Sequence, residues 1–362
     1  MPGSDYLAAW RVVEEAFPRA GTDEQKLRFL ATYAVLAPSV HNTQPWRFRV
    51  RDRVLELHLD RRRALPIIDP RNRSLIISCG AALFNLRTAM YYFGCAGDAR
   101  PFPEPGQPDL LARVSLDGST EPHGIWAPLF HAIAHRVTNR GAFDTREVAP
   151  TVVDGLRDAA RLEGAWLYRF KSPHMRRQVE ALIAEGSRIQ YSDRAFRREL
   201  VGWLRPSGDS DGIPRYAIGA TEEPDYVTAV VPFVLRTFDV GRRAAARYNK
   251  LAAGAPVLVC LGTARDDPLA WLNAGQALQR MLLTATTYGL QASFLNQPIE
   301  VTMLRYRLEE LIEHKGQPQM LLRLGRGARR AHTPRRGIRE VLVDEPGEDA
   351  AVGPEIAYGT ST

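Results

Sequence analysis

Cysteine is scarce in this 362-residue chain: Cys79, Cys95 and Cys260 are the only three, in apolar stretches such as LIISCGAAL and PVLVCLG. That placement points to free buried thiols and excludes a disulfide framework. Neither CxxC nor HExxH occurs, and the closest histidines, His131 and His135, have no carboxylate pattern around them, so no metal is expected. Lysine is nearly as rare, with Lys26, Lys171, Lys250 and Lys315 as four of the 48 basic residues. The net charge of +7 is therefore carried by arginine, as GC-rich genomes favour. The basic runs at 61–63 and 328–330 are short and lack interleaved aromatics. A solvated surface or a small anionic ligand explains them better than a nucleic-acid partner. No apolar run approaches the ~18 residues of a membrane span. The start, MPGSDYLAAWRVVEEAFPRA, lacks the basic-then-apolar order of a secretion signal. These absences lead to an expectation of a cytoplasmic protein without a membrane or nucleic-acid partner.

What is present is ordinary for a soluble globular chain: 45% hydrophobic and 25% charged residues, with length for two domains or one of doubled size. Self-similarity organises it. Gly80 to Gly94 reads GAALFNLRTAMYYFG and Gly275 to Gly289 reads GQALQRMLLTATTYG, offset by 195. Each segment carries one charge, Arg87 or Arg280, so each predicts a helix buried on most faces with its closing glycine as a left-handed cap. The likeness extends outward. QPWRFRV corresponds to AWLYRFK, and LARVSL (111–116) to QMLLRLG (319–325). VLELHLD spans 54–60 and APVLVCLG spans 255–262. Two copies of one α+β unit are expected, rather than two unrelated helices with similar glycines. VLELHLD alternates as a half-buried strand does, whereas APVLVCLG reads as a central one.

The densest polar cluster is APSVHNTQPWRF (37–48), where Pro38 and Pro45 deny regular bonding and Ser39, His41, Asn42, Thr43 and Gln44 stand between apolar walls. From composition alone, a ligand-binding loop and a helix-terminating loop with local side-chain bonds are both open.

The residues of this loop, with those of three further segments, resemble the nitroreductase-like FMN enzymes. APSxxNTQPW before a strand is their flavin loop. HRVTNRGAF (135–143) is similar to their R-x-S/T-x-R element, QASFLNQPIE (291–300) to the stretch that approaches flavin N5, and TPRRGIREVL (333–342) to their closing arginine-bearing strand. Nitroreductase homodimers place each FMN at the subunit interface, with the PSxxN loop from one subunit and the other elements from its partner. In this chain the first half has the PSVHN loop and the second half has the rest, so one complete flavin site and one degenerate mirror image are implied. The helical insert with RRELVGWLR (197–205) and DGIP is similar to the lid of the Acg family of fused double nitroreductase folds.

The resemblance thus implies an α+β fold: a tandem duplicated nitroreductase-like fold in one chain, mimicking a nitroreductase homodimer, with a helical lid insert. The implied organisation is a first half at 1–125, a second half at 126–343 that includes the lid at about 174–225, and a disordered acidic tail at 344–362. GIREVLVD would cross to pair with the other half's sheet. The break at 206–214 would be a hinge. A pseudo-dimeric monomer follows, with further homo-oligomerisation left open.

The resemblance also assigns roles. Arg335 or Arg336, with Arg136 and the Thr138 hydroxyl, would hold the phosphate of FMN. Arg140 and Lys250 would place positive charge near the pyrimidine edge of the ring. Ser39 and Asn42 would hydrogen-bond the ring edge and ribityl chain, and Pro38 would wall the dimethylbenzene side. The Glu300 N–H would meet N5, although Val301 replaces the glycine that usually follows. His41 is the one candidate for a protein acid. The implied activity is hydride transfer between NAD(P)H and a small-molecule acceptor through FMN. The alternative is a catalytically silent FMN-storage protein closed by its lid.

Overall fold

Helix α1 (Asp23–Ala34) starts where Thr22 and Gln25 form a capping box, each side chain accepting from the other's backbone N–H at 3.2 and 2.9 Å. The computed structural model describes residues 7–121, 124–205, 209–214 and 232–343. The expected tail and residues 215–225 of the insert lie outside the described residues.

Strands β1 (Trp46–Arg51) and β2 (Val54–Leu59) form a hairpin with Trp46 opposite Leu59. As the alternation predicted, Leu55 and Leu57 are fully buried, while Glu56 on the other face is tied to Arg49 and Arg113. Helix α2 (Arg73–Tyr92), β3 (Cys95–Pro101) and β4 (Leu110–Ser119) follow, giving a sheet of order β1-β2-β4-β3 with every neighbour antiparallel.

After α3 (Ala127–Ile133) and α4 (Pro150–Arg161), the second sheet begins with β5 (Trp166–Arg169). Helices α5 (Pro173–Ser192) and α6 (Arg194–Gly202), the short pair β6 (Leu204–Arg205) and β7 (Ile213–Pro214), α7 (232–237) and α8 (Gly241–Ala253) intervene before β8 (Val257–Thr263). Then come α9 (Pro268–Thr287), β9 (Gln291–Phe294), α10 (Gln297–Glu300), α11 (Thr302–Leu311), β10 (Gln317–Gly325) and α12 (Ile338–Val341). The second sheet has order β5-β8-β10-β9, again antiparallel throughout. In both sheets a 20-residue helix, α2 or α9, joins the second strand to the third.

The two helices cross at the repeated glycines. A Cβ on Gly275 would come within 2.8 Å of the Gly80 Cα and closer still to the Ile77 carbonyl oxygen. A Cβ on Gly80 would meet the Leu272 carbonyl in the same way, and Ile77 and Leu272 are themselves 195 residues apart, so the contact is reciprocal. Each helix ends at its expected left-handed glycine, with Gly94 and Gly289 both at φ 69°.

One apolar cluster joins α2 and α9 to inner residues of both sheets, among them Leu57, Val257, Val259 and Leu261. A second cluster covers the outer face of the second sheet, where Leu258 and Cys260 meet Val179, Leu182 and Ile183 of α5 and Leu304 and Leu308 of α11. Strand β8 is therefore buried on both faces, as its unbroken apolar run predicted. All three cysteines are free and buried, as their surroundings predicted. The insert expected at about 174–225 begins as core, since α5 is part of this second cluster.

The expected crossing strand GIREVLVD is instead mostly a helical turn. Glu340 Oε1 accepts the N-cap Gly337 N–H at 2.7 Å, and the Glu340 N–H returns to the Gly337 carbonyl at 3.0 Å, which commits Ile338–Val341 to helix. Only Leu342 then bridges Phe48 of β1, with the Val343 N–H donating to the Phe48 carbonyl at 2.8 Å. Among the described residues no helix is long and apolar enough to cross a membrane.

Candidate functional site

A cavity of about 630 Å³ opens between the PSVHN loop, α2, β9 and the insert. Its size is that of a cofactor pocket, for which ~300–1,000 Å³ is usual. Ile77 of α2, Leu278 of α9, Phe294 and Met320 give it apolar surface, and Tyr191, Phe196, Leu200 and Ile213 of the insert face them. Arg140, Arg243, Arg247 and Arg335 line it, whereas Glu300 is the one acidic lining residue among the described residues. A cation-rich cavity with apolar walls suits a flat apolar ligand that carries anionic groups.

The PSVHN loop is strained and heavily supported. His41, Asn42 and Gln44 have φ of 50°, 55° and 52°, a left-handed conformation that costs non-glycine residues roughly 1–2 kcal/mol each. Three segments hold it there. The Asn42 amide donates to the Gly212 and Pro334 carbonyls at 2.9 and 3.0 Å, and its Oδ1 accepts from Arg335 at 2.8 Å. Gln44 Nε2 donates to the Ser210 carbonyl at 2.9 Å, and its Oε1 accepts the Arg336 N–H at 2.8 Å. Below the loop, the Ser78 hydroxyl of α2 accepts the Val40 N–H at 3.3 Å. Backbone strain sustained by this many contacts is characteristic of ligand sites.

Pro38, Ser39, Asn42, Thr138, Arg140, Glu300 and Arg335 all line the cavity. Their local roles differ from those the motifs imply. Asn42 has its carboxamide engaged within the protein, so it shapes the loop. Arg335 also donates to the Ala37 carbonyl at 3.1 Å and stacks over Trp10 at 5.1 Å. Arg336 lies outside the lining, its guanidinium donating to the Gln44 and Trp46 carbonyls at 3.0 and 3.1 Å. Buried carbonyls of an irregular loop need donors, and these arginines supply them. Arg136 sits behind the lining, 4% exposed, with Nη2 3.5 Å from the Leu36 carbonyl and Nε without a partner among the described residues. Burial lowers its pKa to about 10. Lys250 is exposed and outside the lining, one turn beyond Arg247 along α8.

Glu300 departs furthest from expectation. Its N–H is taken by the Asn296 carbonyl at 2.9 Å, because Gln297–Glu300 closes a helical turn. Val301 has φ −95°, ψ 107°, a conformation a β-branched residue accepts freely, so no glycine is needed there. The side chain is the part that faces the cavity. Gln190 Nε2 donates to its carboxylate at 2.6 Å, and burial pushes its pKa up to about 7. His41 lines the cavity with Nε2 unpartnered among the described residues, and burial, then Arg140, lowers its pKa to about 4. At neutral pH it is uncharged.

Several residues were not singled out by motif. Arg323, 1% exposed, donates to the Asn139 and Gly141 carbonyls at 3.1 and 2.7 Å and so fixes the loop that carries Thr138 and Arg140. Its signal was a charge in the middle of the apolar strand QMLLRLG. Ser74 and Ser78 were equally visible as polar residues one turn apart at the start of a buried helix. Arg243 and Arg247 gave no signal against so arginine-rich a background.

A ligand cavity lined by loops, α2, α9 and strands of the second sheet, in a chain whose two sheets share one strand order, defines the class, and residues 133–326 match the nitroreductase family. The chain belongs to that family. A "Putative NAD(P)H nitroreductase" of Mycobacterium tuberculosis H37Rv is 34% identical over 327 residues, 88% of this chain and 92% of its own length. The "Putative NAD(P)H nitroreductase acg" of the same strain is 30% identical over 316 residues, 85% and 92% of the two chains. The FMN and NADPH-dependent nitroreductase NfnB from sphigopyxis sp. strain HMH, a solved structure, is 22% identical and covers 60% of this chain and 99% of its own, with a TM-score of 0.40.

Proposed function

We propose that the cavity holds one FMN per chain and that the protein passes hydride from NAD(P)H to a small electron-poor acceptor. The observation that carries this reading is the lining: Arg140, Arg243 and Arg335 around apolar walls, with one carboxylate, in a chain of the nitroreductase family. Relatives named NAD(P)H nitroreductases, matched over nearly their whole length, support the reductant. Bound there, FMN supplies the hydride-transfer chemistry through N5. The protein's own residues bind and orient. Arg140, whose pKa burial lowers, places a cation against the ligand in a water-poor space where its field is strong. Thr138 and Arg335 line the cavity and are suited to the phosphate, and Arg136, behind the lining with its Nε unpartnered among the described residues, adds positive charge there. Pro38 and Ser39 form the wall opposite, on a loop held rigid by Asn42 and Arg336.

We further propose that the chain is a tandem duplication that does alone what a homodimer does, with halves at 1–125 and 126–343. The shared strand order and reciprocal glycine contact support it. One site per chain is supported by the side chains around the mirror position. The residue 195 before Leu278 is Leu83, and beside it Arg280 stacks on Phe84 at 5.3 Å and Trp126 at 4.8 Å and pairs with Glu163 at 3.2 Å. A complete site within one chain makes a pseudo-dimeric monomer sufficient. The lid, expected at about 174–225, would lay Phe196, Leu200 and Ile213 over the ligand, though its described 209–214 stretch is anchored by Asn42 and Gln44 and does not hang as a free hinge.

Anaerobic stopped-flow mixing tests the reading. Bound flavin is expected to bleach on addition of NADH or NADPH. Bleaching with dithionite alone would make the protein a sequestering one.

A further inference from the structure

Glu300 is the one residue common to the main cavity and a second, smaller cavity of about 150 Å³. The second cavity is lined by Asp69, Arg71, Arg73, Asp266, Arg305 and Tyr306, with Thr302 at its rim. Tyr306 is 63% exposed, so this space reaches solvent. A lone carboxyl between a ligand cavity and a solvent-connected polar one has the placement of a proton conduit.

The surroundings leave that carboxyl able to hold a proton. Among the described residues no cation stands within ion-pair distance of it. Arg305 and Arg73 are committed elsewhere, the first to Asp266 at 2.8 Å and the second to the Gln319 carbonyl at 2.6 Å. The groups acting on Glu300 are Gln190 and Tyr191 from α5, Glu199 from α6, Asp69 from the loop before α2, and Arg73 from its start. Arg73 and the Gln190 bond favour the ionised form, whereas Asp69 and Glu199 oppose it. Burial outweighs them all.

We propose that the Glu300 carboxyl delivers the proton that completes acceptor reduction in the main cavity and is reprotonated from solvent through the second cavity. The proposal rests on the hydride-transfer reading above. A hydride brings the acceptor one hydrogen and two electrons and leaves an anion. The Glu300 O–H bond breaks, its proton joins that anion, and the neutral product departs. The carboxylate then takes one proton from water, restoring the acid. No other oxidant or reductant is consumed beyond NAD(P)H.

Infrared pH titration of the purified full-length chain, with and without added FMN, reads the carboxyl directly. A protonated-carboxyl C=O band lost near pH 7 and missing in Glu300→Gln is expected. Gln190→Leu, which removes a bond to the ionised form, is expected to move the midpoint upward. With nitrofurazone as acceptor, Glu300→Gln is expected to slow reoxidation about 100-fold, a common magnitude for loss of a general acid, and to abolish the inflection near pH 7. Thr302→Trp, which blocks the second cavity, is expected to slow turnover with FMN affinity unchanged. A band that titrates in the ordinary carboxylate range, or a pH profile the same in Glu300→Gln, overturns the proposal. Unchanged turnover in Thr302→Trp overturns the route. A chain that binds no FMN but shows the band overturns the cofactor reading and leaves the proton-holding carboxyl standing.

Discussion

Gly275→Val is expected to cost about 3 kcal/mol or more of folding stability, the upper end of overpacking effects. Its first added atom would fall on the Gly80 backbone and on the carbonyl of Ile77, neither of which can swing aside as a side chain could. The helices must separate, and the central cluster around them loses contacts on both sides. Gly80→Val should act alike, since its Cβ meets the Leu272 carbonyl. The double variant should lose less than the sum, because one separation accommodates both. Gly289→Ala is the control: it has φ 69° but nothing within 4 Å of its added Cβ, and about 1 kcal/mol is expected. Urea unfolding of the four variants checks this. A loss below 1 kcal/mol for Gly275→Val would mean that the helices do not meet through their glycines.

Arg335→Met has the second large effect, on stability and on ligand together. The buried guanidinium serves the Ala37 carbonyl, Asn42 Oδ1 and, at 2.6 Å, Thr333 Oγ1. Methionine keeps most of the stem but leaves those acceptors unpaired, which should cost about 3 kcal/mol. The left-handed residues of the PSVHN loop then lose a principal restraint and relax toward ordinary φ, so the pocket wall moves. FMN affinity is expected to fall about 100-fold, or ~2.7 kcal/mol. Arg243→Gln, an exposed position on α8 that also lines the cavity, should leave stability within about 0.5 kcal/mol. Thermal melts and flavin-fluorescence titrations separate the two effects. Unaltered FMN affinity in Arg335→Met would show that the loop does not depend on this residue.

Much of this architecture was legible because two physical signals are strong in one chain. The glycine-to-glycine segments are apolar nearly all round, and only helices buried against each other can bear that. The strand pairs around them followed from period-two alternation or from its absence. The C-terminal stretch misled because the resemblance made GIREVLVD a crossing strand, while the Gly337 and Glu340 pairing that makes it helical spans a single turn.

The site divided along a different line. Which segments converge was readable from motif, since short polar loops between prolines and paired arginines are local patterns. What each side chain does there was not, because it depends on donors and acceptors from distant segments. Asn42 has an amide shaped for a ligand, yet Gly212, Pro334 and Arg335 claim it. Glu300 was marked by its backbone, and the structure turns that N–H into a helix and the carboxyl toward two cavities. Burial decides the chemistry of such a group, and burial is a property of the assembled fold.

The central claim is one flavin pocket built by both halves of a single chain. Purification of the protein with excess FMN, followed by absorbance of the released cofactor against protein concentration and by light scattering for mass, tests it most directly. One FMN per chain, retained by a monomer and lost on Arg140→Glu, is the predicted result. Two per chain, none, or one shared by two chains would contradict it.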